Sequence, residues 1–324
     1  MNKLLVICGS TAAGKTKLAL HVAKKFNGEI ISADSRQVYK SMDIGTGKDL
    51  PNNSQLITNN SKFGYYLFDG VKVWGLDLVN PNEEFSVAHY QKIAQKIIKN
   101  IQSRKKLPIL VGGTGLYIKA IVEGIETIGI PPNKKLRKDL QKLTTTQLQN
   151  YLKKINIFHF NKLNRSDKHN PRRLIRAIEI AKLKQLNHIK KLKKNIPYNT
   201  LIVGLKSDNQ TLYQRIDQRV EKRIKEGAQK EIRNLLKKGY SWKLPSMSAL
   251  GYRQWRLSFE GKETKEQAIK KWKFTEHAYC RRQLTWFKKI KKIHWFDIKT
   301  KKFAKKIENQ VKDWYHKNQD AKKN

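Results

Sequence analysis

The sequence is short of acidic residues, which number 26 against 69 lysines and arginines and leave a formal net charge of +43. So large an excess favours an extended anionic partner, with nucleic acid as the first candidate and an anionic membrane surface as the second. Runs such as Lys288-Lys289 and Lys301-Lys302 are also typical of solvated surfaces, so the net charge does not by itself identify a partner.

Cysteines and long apolar runs are scarce as well. Cys8 and Cys280 are the two cysteines, and their separation fits neither a disulfide framework nor a metal motif. The eight histidines contain no His-Glu-x-x-His spacing, so we assign no zinc site. No apolar run approaches the roughly 18 to 20 residues that span a bilayer, and residues 4–8 resemble a strand more than a signal peptide. We therefore expect a chain in the reducing cytoplasm, without a membrane segment.

A phosphate-binding loop follows this first apolar run. The residues that match the pattern G-x-x-x-x-G-K-[ST] are Gly9, Ser10, Thr11, Ala12, Ala13, Gly14, Lys15 and Thr16. Glycines let backbone N–H groups face an anion, Lys15 adds a positive charge, and the Thr16 hydroxyl can bind Mg²⁺. A strand-to-helix turn without a ligand is the alternative. The strand pattern before the loop and the helix pattern after it favour the phosphate site.

Two further predicted strands end in loops with functional potential. Residues 29–33 lead into Asp34-Ser35-Arg36-Gln37, and residues 107–111 lead into Gly112-Gly113-Thr114-Gly115. Ligands of open α/β sheets bind at the carboxyl ends of the strands, so we expect these two loops and the phosphate loop to share one crevice.

A basic segment without strand patterns interrupts this α/β pattern. We predict an α/β fold with a P-loop NTPase-like parallel sheet core, flanked by helices, and a helical insertion domain. The predicted parts are a core of residues 1–125 and 196–317, an insertion over 126–195, and a disordered basic tail over 318–324. Periodicity and caps predict helices from Ser86 to about Arg104, over about 209–238 and over about 265–289, and an edge strand over 294–297.

The positions of carboxylates near the phosphate loop indicate which chemistry is feasible. No carboxylate follows the strand 107–111, whereas a phosphate-loop nucleotidase uses one there to orient Mg²⁺ and water. Asp34 is then the carboxylate best placed beside the loop, either as a general base or as a turn former. Thr114 is either a donor to a leaving group or a helix N-cap. Arg215, Arg219 and Arg223 recur every four residues on one predicted helix. Either one of them binds phosphate oxygens, or the three form a solvated row on the helix surface.

Further landmarks extend in order along nearly the whole chain. They are Asp34-Ser35, Asp-Ile-Gly-Thr-Gly-Lys at 43–48, Glu-Phe-Ser-Val-Ala at 84–88, Val-Gly-Gly-Thr-Gly-Leu-Tyr at 111–117, Gly-Tyr-Arg-Gln at 251–254 and Arg-Gln-Leu-Thr-Trp-Phe at 282–287. Together with the phosphate loop they resemble the tRNA dimethylallyltransferase family. The phosphate loop is shared by a whole superfamily, whereas the motifs at 111–117 and 251–254 are far more selective.

The resemblance implies transfer of a dimethylallyl group from dimethylallyl diphosphate to N6 of the adenosine 3′-adjacent to the anticodon in tRNA. In that reaction Asp34 is the base, Thr114 positions the diphosphate, Arg219 clamps it, and residues 9–16 bind it with Mg²⁺ on Thr16. The implied partners are the anticodon stem-loop of tRNA and the prenyl diphosphate, for a protein expected to be a monomer. The implied tRNA contacts are Asp34, Ser35, Arg36, Gln37, Thr114, Arg137, Arg172, Arg173, Leu174, Ile175, Arg176, Ser248, Ala249, Leu250, Gly251, Tyr252, Arg253, Arg282 and Gln283.

Two segments depart from the family pattern, and two other functions stay open on the residues alone. Val73 to Asp77 lacks the family's usual His-Leu pair, and Ser248 to Leu250 replaces its usual Arg-Cys or Lys-Ala. The alternatives are a phosphate-loop kinase of a small hydroxyl compound, with Asp34 as base, and a nucleic-acid-binding protein with an ATP switch. The basic insertion disfavours the first, and the missing water-orienting carboxylate disfavours the second.

Overall fold

The computed structural model describes residues 2–58, 63–185 and 198–317. The chain divides into two compact units, one formed by Met1–Val122 with Ile196–Asn324 and the other by the intervening Glu123–Asn195. The tail predicted over 318–324 lies outside the described residues. None of the helices within the described ranges is both long and apolar enough to cross a membrane.

The first unit contains a seven-stranded sheet of order β3-β4-β2-β5-β1-β6-β7. Its strands are β1 (Lys3–Gly9), β2 (Gly28–Ser32), β3 (Tyr65–Phe68), β4 (Val71–Trp74), β5 (Leu107–Gly112), β6 (Asn199–Lys206) and β7 (Ile293–Asp297). Every neighbouring pair is parallel except β3 with β4. The strands β1, β2 and β5 are buried along their whole length, as expected for a parallel sheet covered on both faces. The predicted α/β core is confirmed.

The first unit also contains helices, several of which pack on the sheet. They are α1 (Lys15–Lys25), α2 (Val87–Ser103), α3 (Gly115–Val122), α9 (Asn209–Lys225), α10 (Ala228–Lys237), α11 (Arg256–Phe259), α12 (Lys265–Phe287) and α13 (Phe303–His316). Ser86 caps α2 as predicted, with its hydroxyl 3.3 Å from the His89 N–H. The helical structure predicted over about 209–238 is confirmed. It consists of two helices, α9 and α10, because Gly227 between them adopts a left-handed conformation with φ 99°.

A short hairpin at the sheet edge was not predicted. β3 and β4 are four residues each and pair antiparallel, with Tyr65 opposite Trp74. The turn between them is Asp69-Gly70, and both residues have positive φ, 48° and 80°. This is the geometry that Asp-Gly favours in a two-residue hairpin loop.

The second unit is helical over its described residues. Its helices are α4 (Lys134–Leu140), α5 (Thr145–Ile155), α6 (Ile157–Lys162), α7 (Arg165–Lys168) and α8 (Pro171–Gln185). Leu148, Leu152 and Leu174 are fully buried in a small core of their own. The helices α4, α5, α6 and α8 each contribute apolar side chains to this core, whereas α7 has no buried residue.

Candidate active site

Three loops lie side by side at the carboxyl edge of the sheet. The strands β2, β5 and β1 are parallel neighbours, and their registers pair Ser32 with Val111 and Cys8 with Gly112. The loops that follow contribute to one cavity of about 370 Å³, which confirms the predicted shared crevice. Its polar lining includes Thr11, Lys15, Thr16, Asp34, Ser35, Arg36, Gln37, Thr46, Lys48, Arg219, Arg223, Ser248, Arg253, Glu276, Tyr279, Arg282 and Gln283.

The phosphate loop needs glycine at both ends. Gly9 has φ 137°, and a Cβ there would lie 2.3 Å from the Leu205 carbonyl oxygen. Gly14 has φ 82° and precedes α1, which begins at Lys15. The Lys15 amine donates to the Ser10 carbonyl oxygen at 2.6 Å. Burial, aided by the nearby positive charge of Arg219, lowers the pKa of Lys15 to about 8. An anion bound in the loop would favour the protonated amine.

Asp34 lies in the loop after β2, and Thr114 lies in the loop after β5. One Asp34 carboxylate oxygen accepts the Arg36 N–H at 2.8 Å, a local turn contact. The Thr114 hydroxyl oxygen accepts the Ser35 N–H at 3.1 Å, so it joins the two loops instead of capping α3. Asp34 lines the cavity, whereas Thr114 lies outside its lining. Asp34 therefore has direct access to a ligand, and Thr114 holds the chain beside it.

The arginine row on α9 divides into three environments. Arg223 is 4% exposed and forms an ion pair with Glu276, which also accepts the Trp272 indole N–H, each at 3.3 Å. Arg219 lines the cavity and donates to the Gly47 carbonyl oxygen at 3.0 Å and to Asp49 at 2.6 Å. Arg215 lies in an outer depression that Arg219 also lines. Because Asp49 is half exposed, this ion pair is a weak one.

One wall of the cavity is apolar. The residues that form it are Ile30, Phe68, Val73, Leu76 and Val111. Val73 and Leu76 belong to the segment that departs from the family pattern. Phe68 and Val73 come from the unpredicted hairpin, so the sequence did not reveal this wall. The cavity thus combines cationic groups with space for a hydrocarbon group.

The segment 248–253 forms part of the cavity rim. Ser248, Leu250 and Arg253 line the cavity, whereas Ala249 and Tyr252 are buried behind it. Burial, followed by the charges of Arg282 and Arg36, lowers the pKa of Arg253. Three guanidinium groups therefore gather close enough to repel one another. Such a cluster attracts an anion as extended as a nucleic-acid backbone.

Gln283 joins the phosphate loop to the Gly-Gly-Thr loop. Its Oε1 accepts the Thr11 N–H at 2.8 Å, and its Nε2 donates to the Gly113 carbonyl oxygen at 3.1 Å. The side chain is buried, and both ends of its amide are bonded to backbone. Glu231 on α10 is a similar support, which accepts three N–H groups of residues 43–45. Sequence reasoning missed it because an isolated helical Glu carries no motif.

The arginines of the second unit differ in their availability. A buried carboxylate, Glu179, accepts hydrogen bonds from Nε and Nη2 of Arg137 at 2.8 and 2.9 Å and from Nη1 of Arg176 at 3.1 Å. Burial disfavours ionisation, but these bonds outweigh it and lower the pKa of Glu179. Arg172 is exposed and makes no hydrogen bond or ion pair within the described residues. Arg173 pairs with Asp167.

Two of the implied tRNA contacts in the second unit are core residues, as Ala249 and Tyr252 are in the first. The side chains of Leu174 and Ile175 are 0% and 6% exposed and belong to the core of the second unit. They hold α8 in place and present no side-chain surface to a ligand.

The side chains beside the phosphate loop suit a Mg²⁺ ion that is held mainly by water and by the phosphate oxygens of a substrate. No cluster of three or more His, Cys, Asp or Glu side chains suited to a metal occurs in the described ranges. Mg²⁺ commonly keeps several waters and binds substrate phosphates with few protein ligands. The exposed Thr16 hydroxyl beside Lys15 matches that requirement.

Family patterns and relatives agree with this geometry. The pattern of the IPP transferase family matches residues 37–290, and that of isopentenyl transferase matches residues 2–62. The tRNA dimethylallyltransferase of Caldanaerobacter subterraneus subsp. tengcongensis is 39% identical over 319 residues, 95% of this chain and 96% of the relative. That of Anoxybacillus flavithermus is 35% identical over 92% of this chain and 91% of its own length.

A solved structure is similar over its full length. The tRNA isopentenylpyrophosphate transferase of Bacillus halodurans superimposes with a TM-score of 0.71 at 34% identity, covering 100% of both chains. The corresponding Staphylococcus epidermidis protein gives a TM-score of 0.66 at 32% identity, over 97% of this chain and 99% of the other. The matched sequence pattern and the full-length relatives show that this chain belongs to the tRNA dimethylallyltransferase family.

Proposed function

We propose that this protein transfers the dimethylallyl group of dimethylallyl diphosphate to N6 of the adenosine 3′-adjacent to the anticodon in tRNA. The observation that carries the proposal is the composition of one cavity, which is lined by phosphate-loop residues, an apolar wall and Asp34. The apolar wall facing the phosphate loop suits the hydrocarbon group of a prenyl diphosphate. Membership of the family supports the same donor and the same kind of acceptor.

Two acidic side chains line the cavity, and their partners separate their roles. Glu276 is 7% exposed and is bonded to Arg223 and Trp272. Asp34 is partly exposed, with one carboxylate oxygen in a turn contact to Arg36. Its other oxygen makes no hydrogen bond within the described residues. Asp34 is therefore the carboxylate that has capacity to accept a proton.

The reaction needs one bond to form and one to break. The N6 amine attacks C1 of the dimethylallyl group, the C1–O bond breaks, and the diphosphate leaves with the bonding electrons. Asp34 accepts the proton that N6 loses. Lys15, Arg219 and the loop N–H groups face the negative charge that develops on the leaving oxygen, which lowers the barrier most where water is excluded.

Magnesium, when bound beside the Thr16 hydroxyl, supplies further positive charge to the diphosphate. The apolar wall holds the dimethylallyl group and keeps water away from C1. The target adenosine must leave the anticodon-loop stack to reach a cavity of this size, as in other enzymes that modify a base.

The basic rim and the second unit are suited to the RNA backbone. Arg36, Arg253 and Arg282 gather at the cavity, and Arg172 is exposed on the second unit. Contacts of this kind go mainly to phosphate groups and orient the RNA, whereas the pocket selects the base. Leu174 and Ile175 support the second unit through packing. Gln283 supports the cavity of the first unit through its hydrogen bonds to backbone.

The test combines the full chain, Mg²⁺, dimethylallyl diphosphate and unmodified tRNA, with the nucleosides analysed by mass spectrometry. We expect a prenylated adenosine from the wild type. Asp34→Asn should abolish transfer while the tRNA Kd stays unchanged, because the amide cannot accept the proton. Asp69→Asn, in the hairpin turn, is the matched control and should react at the wild-type rate. ATP consumption without prenylation would contradict the proposal.

A further inference from the structure

The carboxylate of Glu231 is the shared acceptor of four hydrogen bonds. One oxygen accepts the N–H groups of Asp43 and Ile44, both at 2.8 Å. The other accepts the Gly45 N–H at 3.0 Å and the Tyr252 hydroxyl at 2.6 Å. Hydrogen bonds to an ionised group are about twice as strong as neutral ones, so this side chain is a strong anchor for the loop 43–48.

The loop that Glu231 anchors contacts the cationic part of the cavity. The Gly47 carbonyl oxygen accepts one bond from Arg219 at 3.0 Å and another from the Gln37 amide at 2.8 Å. Gly47 has φ 65°, and a Cβ there would lie 1.8 Å from the Arg223 guanidinium and 2.6 Å from that of Arg219. The position of this backbone therefore sets the position of the guanidinium beside it.

The same loop is packed tightly against the rim segment. A Cβ on Gly45 would lie 2.5 Å from the Tyr252 ring, and a Cβ on Gly251 would lie 2.6 Å from the Gly45 carbonyl oxygen. Burial, followed by the charge of Glu231, raises the pKa of Tyr252 well above its ordinary value. The hydroxyl thus stays protonated and donates to Glu231.

We infer that Glu231 is a positioning residue for the transfer reaction. It acts through Arg219, because it fixes the loop whose Gly47 carbonyl holds that guanidinium at the diphosphate. It also joins this loop to Tyr252, which precedes the rim residue Arg253. The inference rests on the proposed function for the assignment of the anion as the donor diphosphate.

Inorganic diphosphate is the probe that isolates this role, because its binding requires no RNA and no reaction. We expect Glu231→Gln, which keeps the shape but replaces one acceptor oxygen with a donor, to raise the calorimetric Kd about 10-fold. Arg219→Gln alone should raise it by at least as much. In the double variant the two increases in Kd should be less than additive in free energy. Arg219 is already displaced when Glu231 is replaced, so its removal then weakens diphosphate binding little further.

The control is Glu226→Gln, which removes a carboxylate paired at 3.5 Å with Lys222 next to the same helix. It should bind diphosphate as the wild type does. If Glu231 only stabilises the fold, Glu231→Gln should lower the melting temperature, and its effect on the diphosphate Kd should be independent of Arg219→Gln. If Glu231→Gln does not fold, Glu231→Asp enters the same cycle.

Wild-type diphosphate affinity in the folded Glu231 variant, or fully additive effects with Arg219→Gln, would overturn the inference. Failure of the proposed function looks different, because the wild type itself would then not prenylate tRNA.

Discussion

The contact between Gly113 and Gln283 allows a sharp test of how the loops are held together. A Cβ at Gly113 would lie 2.1 Å from the Gln283 amide nitrogen. Gly113 does not have a positive φ, so its backbone conformation tolerates alanine. Gly113→Ala should therefore displace the amide without straining the loop, and both hydrogen bonds of Gln283 should be lost together.

The size of the effect follows from the two bonds. Each neutral hydrogen bond contributes about 1 kcal/mol net, and leaving its buried partner unpaired adds to the cost. A total of about 2 kcal/mol corresponds to about 30-fold in an equilibrium constant. We expect Gly113→Ala and Gln283→Ala each to lower kcat/KM for dimethylallyl diphosphate by about that factor, because the phosphate loop and the loop beside Asp34 lose their common brace.

The decisive measurement is the double variant. Alanine at position 283 removes the amide that the new methyl group strikes, so Gly113→Ala should cost little in that background. We expect the double variant to resemble Gln283→Ala alone, with a tRNA Kd close to that of the wild type. If the two substitutions lower kcat/KM independently, so that their factors multiply in the double variant, the predicted clash is refuted. A loss of tRNA affinity in Gln283→Ala equal to the loss of rate would make Gln283 an RNA contact instead.

Two further predictions concern charge. Because the pKa of Lys15 is lowered to about 8 by burial and by Arg219, donor kcat/KM should fall as the pH rises through about 8, where the amine loses its proton. A pH–rate profile of Arg219→Gln should show this limb at higher pH, and a limb that does not move would contradict the cause. Arg172→Gln should weaken tRNA binding and reduce its salt dependence by about one phosphate contact, without changing the melting temperature. Arg176→Gln should also lower the melting temperature, because it takes a partner from the buried Glu179; equal melting temperatures would contradict this distinction.

Some parts of the fold are predictable because one local pattern determines them. The strands β1 and β5 contain continuous apolar runs, and β2 has an apolar centre at Ile30 and Ile31. Each of the three is followed by a loop that carries candidate site residues. Ser86 marks the start of α2, and Ile97 and Ile101 recur on its buried face. Burial and periodicity agree in these segments, so no tertiary information is needed.

The edge hairpin shows the opposite case. β3 and β4 are too short for their apolar residues to form a convincing period, and they are held by tertiary contacts, which include pairing with each other and of β4 with β2. The Asp69-Gly70 turn was the available signal. Because this hairpin supplies Phe68 and Val73 to the cavity, the apolar wall could not be derived without it. The phosphate loop was recognisable, but the hydrocarbon site facing it was not.

The arginine row on α9 shows what spacing leaves undecided. Arg215, Arg219 and Arg223 are equivalent in the sequence, since each lies four residues from the next. Their partners make them different. Arg223 is neutralised by Glu276 inside the protein, whereas Arg219 pairs with an Asp49 that is 51% exposed. A substrate diphosphate replaces an exposed pair at little cost, but it gains little from a buried charge that is already compensated. Catalytic assignment among like residues is therefore a question of which charge remains available, and here that favours Arg219.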